Sequence, residues 1–378
     1  MKEPITIIGA GIGGLTMALT LKQKGYPARV YESAPEIKPV GAGILMANNA
    51  MQVFKKLGIQ HSIEAAGHRI STLDITNEKL SSLSAINLQK FEHRYGVYSV
   101  AIHRADLQRI LAEAIGFENI ELSKRLVSIK QEKDCKLVFE DGSVIRSPVV
   151  IAADGIRSAI RNQLFDKSEI RNTGQVCWRG VCDMELPEQY LHEGIEAWGK
   201  GIRFGFVRIS SRQLYWFAVA KERSVKSEPD DLLLLFKDFH PLVQNMIAAT
   251  AKENIYFSSI TDLKPVHQWY KGNVCLIGDA AHATTPNLGQ GACQAVEDAY
   301  AIGQLLDPNK TFDNVFAAYQ ELRIKKAHAI VNNSWRIGKM AHWENSFAVW
   351  TRNNLMKAIP AAANNKQLQK IFDIRYIT

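Results

Sequence analysis

The chain opens on a β-branched run, Ile5-Thr6-Ile7-Ile8, followed at once by four glycines in six residues, Gly9, Gly11, Gly13 and Gly14. Residues 15–24 continue as an apolar-rich helix that stops near Gly25, and residues 28–31 form a second short apolar run closed by Glu32. The pattern predicts a buried strand, a tight loop, a helix and a second strand. Residues 4–21 carry no charge, which a hydropathy window reads as a signal peptide or membrane anchor. Clustered glycines would weaken a spanning helix, so the segment is assigned to a buried βα unit instead.

Further on, residues 103–115 read as a helix. Residues 125–129 and 136–140 read as meander strands, the second turning at Asp141-Gly142. Residues 149–153 form a fully apolar strand ending in Asp154-Gly155, and residues 274–277 another ending in Gly278-Asp279. Residues 174–220 alternate with period two and are rich in aromatics, which predicts a second, antiparallel sheet. The stretch between Arg69 and Val97 is polar and reads as irregular. After Thr311 a helical stripe of Phe312, Val315, Phe316, Tyr319 and Leu322 takes over.

Composition narrows the class. At 378 residues the chain exceeds a comfortable single core, so two domains and an appendage are expected. An apolar share of 46% and a charged share of 22% are those of an ordinary globular protein. The net charge of +8 is concentrated at the end: residues 311–378 hold ten Lys and Arg against four Asp and Glu. Such a segment can meet an acidic partner or a membrane surface, but it reads first as a solvated helix face. No basic run is interleaved with stacking aromatics, so nucleic acid is not an expected partner. Five cysteines without a CxxC suit reduced thiols in a cytoplasm, not a disulfide framework or a metal site.

The glycine loop has the spacing GxGxxG, with Glu32 at the distance expected of a dinucleotide fingerprint. The first glycine permits the tight turn, the second lets the backbone approach a pyrophosphate, and the third lets helix and strand pack closely. The helix then offers free N–H groups and partial positive charge to the phosphates. Two further motifs also end buried strands: residues 154–161, and Gly278-Asp279-Ala280-Ala281-His282. Ligands in open α/β sheets bind beyond the carboxyl ends of strands, so all three motifs point at one crevice.

With these motifs, and with residues 38–44 (KPVGAGI), 103–108 (HRADLQ) and 286–299 (PNLGQGACQAVEDA), the sequence resembles the single-component flavoprotein aromatic hydroxylases of the p-hydroxybenzoate hydroxylase fold. The resemblance covers nearly the whole chain and is closest to the urate hydroxylase, salicylate hydroxylase and zeaxanthin epoxidase types. It implies an α/β fold: a discontinuous Rossmann-like FAD-binding domain of glutathione-reductase type (residues 1–70, 98–167 and 268–310), an antiparallel-sheet substrate domain (71–97 and 168–267) and a C-terminal helical segment (311–378). It further implies that FAD is held by Gly9, Gly11, Ile12, Gly14, Glu32, Gly43, Arg104, Leu126, Asp154, Asp279, Pro286, Gly289 and Gly291. NAD(P)H would be a transient co-substrate with no fold of its own. With O2, a flavin C4a-hydroperoxide would pass one oxygen atom to a small aromatic or conjugated substrate, an anionic one among the candidates. His282, Glu297 and Asp298 read as packing residues.

On the substrate side, alternation puts Arg203, Gly205 and Val207 on one face and Tyr215, Phe217 and Val219 on one face of the next strand, with Trp178 and Arg179 on opposite faces. The resemblance places Arg203 and Tyr215 beside flavin and substrate, and Arg179 is added as a third catalytic candidate; no metal is expected. An arginine among Gly and Val needs a partner, from the protein or from a ligand, and Gly205 is expected to leave room for a close approach. Two other readings stay open. One is epoxidation of an alkene, or inactivation of a tetracycline-like antibiotic, by the same chemistry; the other is a non-catalytic flavin-binding or carrier protein. A monomer or homodimer without membrane contact is expected.

Overall fold

A computed structural model describes residues 3–37, 42–225 and 231–377. Lys38, Pro39, Val40 and Gly41 of the first family-like run lie outside the described residues. Ile5–Ile8, buried throughout, becomes a central strand of a six-stranded sheet. Across that sheet the strands run Tyr270–Lys271, Val274–Leu276, Val150–Ala152, Ile5–Ile8, Ala28–Tyr31 and Ile120–Glu121. All pair in parallel except the edge hairpin Tyr270–Lys271 with Val274–Leu276. Continuous apolar runs suit this sheet because its central strands are buried on both faces. Ile8 pairs with Ala152 and Ala152 with Leu276, so the residues after these strands leave the sheet along one edge. That edge collects Gly9, Asp154 and Gly278-Asp279.

A seven-stranded sheet stands against it, ordered Tyr256–Leu263, Ile170–Asp183, Gln213–Lys221, Ile202–Arg208, Glu193–Trp198, Thr72–Asn77 and Ser82–Asn87. The residues expected to be irregular, 69–97, instead supply its last two strands and the helix Gln89–Tyr95. Thr72–Asn77 joins in parallel beside Glu193–Trp198, a pairing with a distant segment. These two strands are largely half-exposed, and the apolar alternation that betrays a strand is therefore weak in them. One face of the sheet, with Val176, Trp178, Phe204, Phe206 and Trp216, packs on the helix Pro241–Ala248 and on Phe236. The other face, with Arg179, Arg203, Tyr215 and Phe217, turns toward the first sheet.

A buried polar knot on the helix Gly291–Leu305 ties the end of the strand Val274–Leu276 to the C-terminal helices. Asp298 Oδ2 accepts from the Gly278 N–H at 2.9 Å and from His282 Nε2 at 2.6 Å, while Oδ1 accepts from Arg323 Nε at 2.9 Å. Arg323, on the helix Phe312–Ala341, also donates to Glu297 at 2.5 Å and to the Tyr376 hydroxyl. Glu297 accepts in addition from Asn49 at 2.6 Å and from Lys326 at 2.9 Å. Glu297, Asp298 and Arg323 are fully buried. Burial alone would raise the Asp298 carboxyl, but the charges of His282 and Arg323 outweigh it and hold its pKa down to about 2. Its contribution to stability is therefore in place above the ordinary carboxylate range and is lost only as pH falls toward 2.

Removing one member of such a network strands the others without partners, at a cost of about 3–5 kcal/mol. Asp298→Ala should lower the urea midpoint by that free-energy equivalent while Glu253→Ala, at an exposed position, leaves it unmoved. An Asp298→Ala midpoint equal to wild type would show that the turn at Gly278 holds without it.

Candidate functional site

The glycine loop divides its labour by contact. Gly9 has φ +105°, and a Cβ there would lie 2.4 Å from the Ala153 carbonyl oxygen. A Cβ at Gly14 would lie 2.0 Å from the Gly9 carbonyl, so helix and strand touch backbone to backbone. A Cβ at Gly11 would meet nothing within 4 Å; the space before it is open. Ile12 starts the helix Ile12–Gln23, which has no side-chain cap and no acidic residue in its first turn. Glu32 spans the loop: one carboxylate oxygen accepts from the Ala10 N–H at 2.7 Å, the other from the Ala34 N–H at 2.9 Å.

The helix Gly291–Leu305 presents a second N-terminus of the same kind, uncapped by any side chain and free of acid in its first turn. It packs along Ile12–Gln23, with Gly13 and Gly278 both seated against Ala295. Pro286 and Gly289 bracket the short turn before it; Gly289, at φ +60°, donates its N–H to the Pro286 carbonyl at 2.8 Å. Gly291 is the first helical residue. Asp279 is open to solvent, within reach of the charges of His282 and Arg104. Arg104, exposed at the head of the helix Arg104–Ile115, also bears on Tyr215, so its guanidinium lies between the strand-end motifs and the second sheet. Asp154 accepts from the Ile160 N–H at 3.2 Å, and its Oδ1 is buried without a partner among the described residues. Leu126 is buried at the start of the meander, paired with Phe139.

This donor set fits a dinucleotide diphosphate. Two uncapped, glycine-led helix N-termini supply N–H groups and partial positive charge, Gly11 leaves space before one of them, and Arg104 and the orphaned Asp154 oxygen supply polar ends.

Across the cleft, Gly43 lies directly on Tyr215, where a Cβ would sit 2.4 Å from the tyrosine Cβ. Arg179 Nη1 donates to Ser258 Oγ at 2.9 Å, with its charge on Tyr215. Burial pushes the Tyr215 hydroxyl well above its ordinary pKa, so it remains a protonated donor. Register joins Arg203 to Val219, Gly205 to Phe217, Val207 to Tyr215 and Phe217 to Arg179, which brings the three candidate residues onto one face.

Gly205 does not leave room for a ligand. A Cβ there would fall 2.2 Å from the Phe217 ring, so the phenyl group already fills the space. Arg203 is 1% exposed and takes its partners from the protein: Nη1 donates to Glu196 at 2.6 Å and Nη2 to the Asn287 side-chain oxygen. Its Nε is buried without a partner. Asn287 in turn donates to Thr285 Oγ1 at 2.9 Å and the Ser334 carbonyl at 2.8 Å. Glu196 and Ser258 were not named from sequence, and Asn287 and Phe217 only as members of a motif and of a strand face. Glu196 could have been, since period-two alternation along Glu193–Trp198 leaves one acid facing inward; which arginine it meets depends on strand register.

The family model described as FAD binding domain matches residues 2–334. The aurachin C monooxygenase/isomerase of Stigmatella aurantiaca is 38% identical over 367 residues, covering 94% of this chain and 95% of that one. The 2-heptyl-3-hydroxy-4(1H)-quinolone synthase of Pseudomonas aeruginosa is 32% identical over 385 residues, covering 97% of each. Among solved structures, Klebsiella pneumoniae HpxO complexed with FAD and uric acid superposes with a TM-score of 0.89 at 26% identity, covering 98% of this chain and 96% of that one.

The Arg203 side of the cleft also yields a pH dependence. His342 is buried, with Nδ1 on the Gly338 carbonyl at 2.9 Å and Nε2 unpartnered. Burial, and then the nearby Arg203 charge, lower its pKa from 6.5 to about 3. The folded imidazole stays neutral while the unfolded one takes a proton, so its contribution is full above pH 6.5 and declines as pH falls from there toward 3. In that window the loss approaches about 1.4 kcal/mol per pH unit. Urea unfolding of His342→Gln across pH 4–7 should show a shallower slope than wild type; parallel curves would mean that His342 titrates alike in both states.

Proposed function

This chain belongs to the FAD binding domain family and is an FAD-dependent monooxygenase that uses NAD(P)H and O2; on that premise we propose that it hydroxylates a heteroaromatic ring of the quinoline or quinolone type. The observation that carries the reading is the pairing of two uncapped glycine-led helix N-termini with a sheet face that offers Tyr215, Phe217 and Arg179. The relative named as a quinolone synthase matches this chain over 97% of its own length, which favours that ring over purines and hydroxybenzoates.

We assign FAD to the unit of residues 1–70, 98–167 and 268–310, and the substrate to residues 71–97 and 168–267, with 311–378 as a helical buttress. Gly9, Gly11, Ile12 and Gly14 would receive the diphosphate, Glu32 a ribose diol, and Leu126 the adenine side. Arg104, Asp154 and Asp279 would meet the flavin side chain, and Gly43, Pro286, Gly289 and Gly291 the ring. Bound FAD supplies the redox chemistry by which reducing equivalents from NAD(P)H activate O2. The residues around it orient the substrate ring and keep water out. Tyr215 offers a hydroxyl proton that its burial makes hard to lose. Arg179 offers a cation held by Ser258, suited to an acidic ring oxygen. Arg203 has spent two donors on Glu196 and Asn287; its Nε–H remains for a ligand. Its tie to Asn287 also holds the turn that leads to Gly289 and Gly291. Five buried, unpaired thiols support a reducing cytoplasm as its compartment.

NAD(P)H oxidation should be stimulated by alkylquinolones more than by urate or 3-hydroxybenzoate, with label from 18O2 in the product. Stimulation by urate alone would overturn the ring assignment, and label arriving from water would overturn hydroxylation by O2. Gly11→Val should purify with little FAD, because the added side chain enters the space before the helix; full occupancy would remove the loop from the cofactor site. Arg203→Ala and Asn287→Ala should each cut coupled turnover by at least about tenfold, the loss of one charge-assisted hydrogen bond, with hydrogen peroxide released. If only Arg203→Ala does so, the guanidinium acts on the ligand and not through the turn.

A further inference from the structure

The helix Ser346–Ala358 is docked by one face only. Val349, Arg352 and Met356 point inward, whereas Phe347, Trp350 and Leu355 are 74%, 63% and 63% exposed. Trp343 just before the helix and Ile359 just after it extend the strip, both exposed. The rings of Phe347 and Trp350 stack on each other with centroids 6.0 Å apart, facing solvent. Scattered apolar residues on a surface need no explanation, but two tryptophans, a phenylalanine, a leucine and an isoleucine in one strip do.

Charge supplies an independent observation. Residues 345–372 contain no acidic residue and expose Lys357, Lys366 and Lys370, Arg352 being buried beneath the helix. Lys200 adds a cation at the helix start, donating to Ser346 Oγ at 3.1 Å. The acid at this edge, Glu344, is met by Lys221 and Arg223 at 2.9 Å each, so the edge remains net positive. A strip of Trp, Phe and Leu beside lysines, with no acid to repel phosphate, has the composition of a helix that lies in a lipid interface. The rings settle at headgroup depth and the ammonium groups meet anionic lipid. A second copy seated on the same strip would oppose like charges across a two-fold axis. No helix among the described residues is long and apolar enough to cross a membrane, so the contact would be at the surface.

We infer that the outward face of the helix Ser346–Ala358 docks this enzyme on an anionic bilayer surface. A cleft of about 850 Å³ opens beside the strip, with Trp343 and Ala348 at its rim and Gln175 and His342 in its wall. Gln175 Oε1 and His342 Nε2 are buried there without partners. Gln175 donates to the Gly338 carbonyl, and Gly338 packs on Asn287, which places the cleft wall next to the Arg203–Asn287 tie. A lipophilic ring held in the bilayer would thus meet an opening on the docked side. The docking itself does not depend on the substrate assignment.

The test uses the FAD-loaded chain and no turnover. In sedimentation with vesicles, the protein should pellet with phosphatidylcholine containing phosphatidylglycerol, much less with phosphatidylcholine alone, and less as salt is raised. Tryptophan emission should shift to the blue on binding. The double variant Phe347→Ser/Trp350→Ser should lose at least about tenfold in partition with FAD content and melting temperature unchanged. Absence from the anionic-vesicle pellet, or undiminished pelleting of the double variant, overturns the proposal. So does a dimer in sedimentation velocity that the double variant makes monomeric, since the strip then belongs to a second copy.

Discussion

The Asp298 carboxylate is the constraint on which the arrangement of this protein depends. The turn after Val274–Leu276 puts Gly278 at φ +56°, a conformation that buries its N–H where no strand or helix partner can reach it. An unpaired buried N–H is costly, and Asp298 satisfies it from the helix Gly291–Leu305. The same carboxylate holds His282 and Arg323, so one side chain ties a strand end, the helix that faces the cleft and the long C-terminal helix. Once that helix is fixed, Gly13 against Ala295 and Gly303 against Thr20 set its distance from Ile12–Gln23. The two uncapped N-termini are then held at a spacing that neither controls alone.

The second sheet is joined to this frame by equally specific contacts. Gly43 admits the Tyr215 side chain at backbone distance, and Arg203 links Glu196 on the sheet to Asn287 on the turn before Gly289. Buried ion pairs are weak sources of stability because both ions must be stripped of water, but breaking one is costly. A tie of this kind therefore sets position: the turn cannot drift from the sheet without leaving Glu196 and Arg203 unpaired. It also redefines Arg203, which anchors the cleft wall while keeping one donor free.

The C-terminal segment does two jobs with opposite faces. Its inner surfaces close the polar knot, through Arg323, Lys326 and Tyr376, and cover Trp198, over whose ring Arg352 lies at 5.2 Å. Its outer surface gathers aromatic rings and lysines. The charge excess that reads as solvated helix in the composition acquires a direction only when the inward Val349, Arg352 and Met356 are seen to leave Phe347 and Trp350 outside.

What the sequence determined by itself were features written in consecutive residues. Four glycines after Ile5–Ile8, Glu32 one strand later, Gly278-Asp279 after a buried run and the Pro286–Asp298 stretch each encode a local turn or helix start. Their convergence follows because parallel strands must end on one edge. The alternation along Ile202–Arg208 and Gln213–Lys221 likewise grouped Arg203 with Gly205 and Val207, and Tyr215 with Phe217 and Val219, each within its own strand. Only the tertiary structure decided what depends on residues far apart in the chain. Thr72–Asn77 and Ser82–Asn87 are strands because Glu193–Trp198 gives them an edge to pair with, and their own alternation is too weak to announce it. Gly205 is filled because register sets Phe217 opposite it. Arg203 is neutralised because a neighbouring strand brings Glu196 within 2.6 Å. Sequence specifies which face a side chain takes, since that is a property of its own strand; the partner it meets is set by how strands align, and no single segment carries that information.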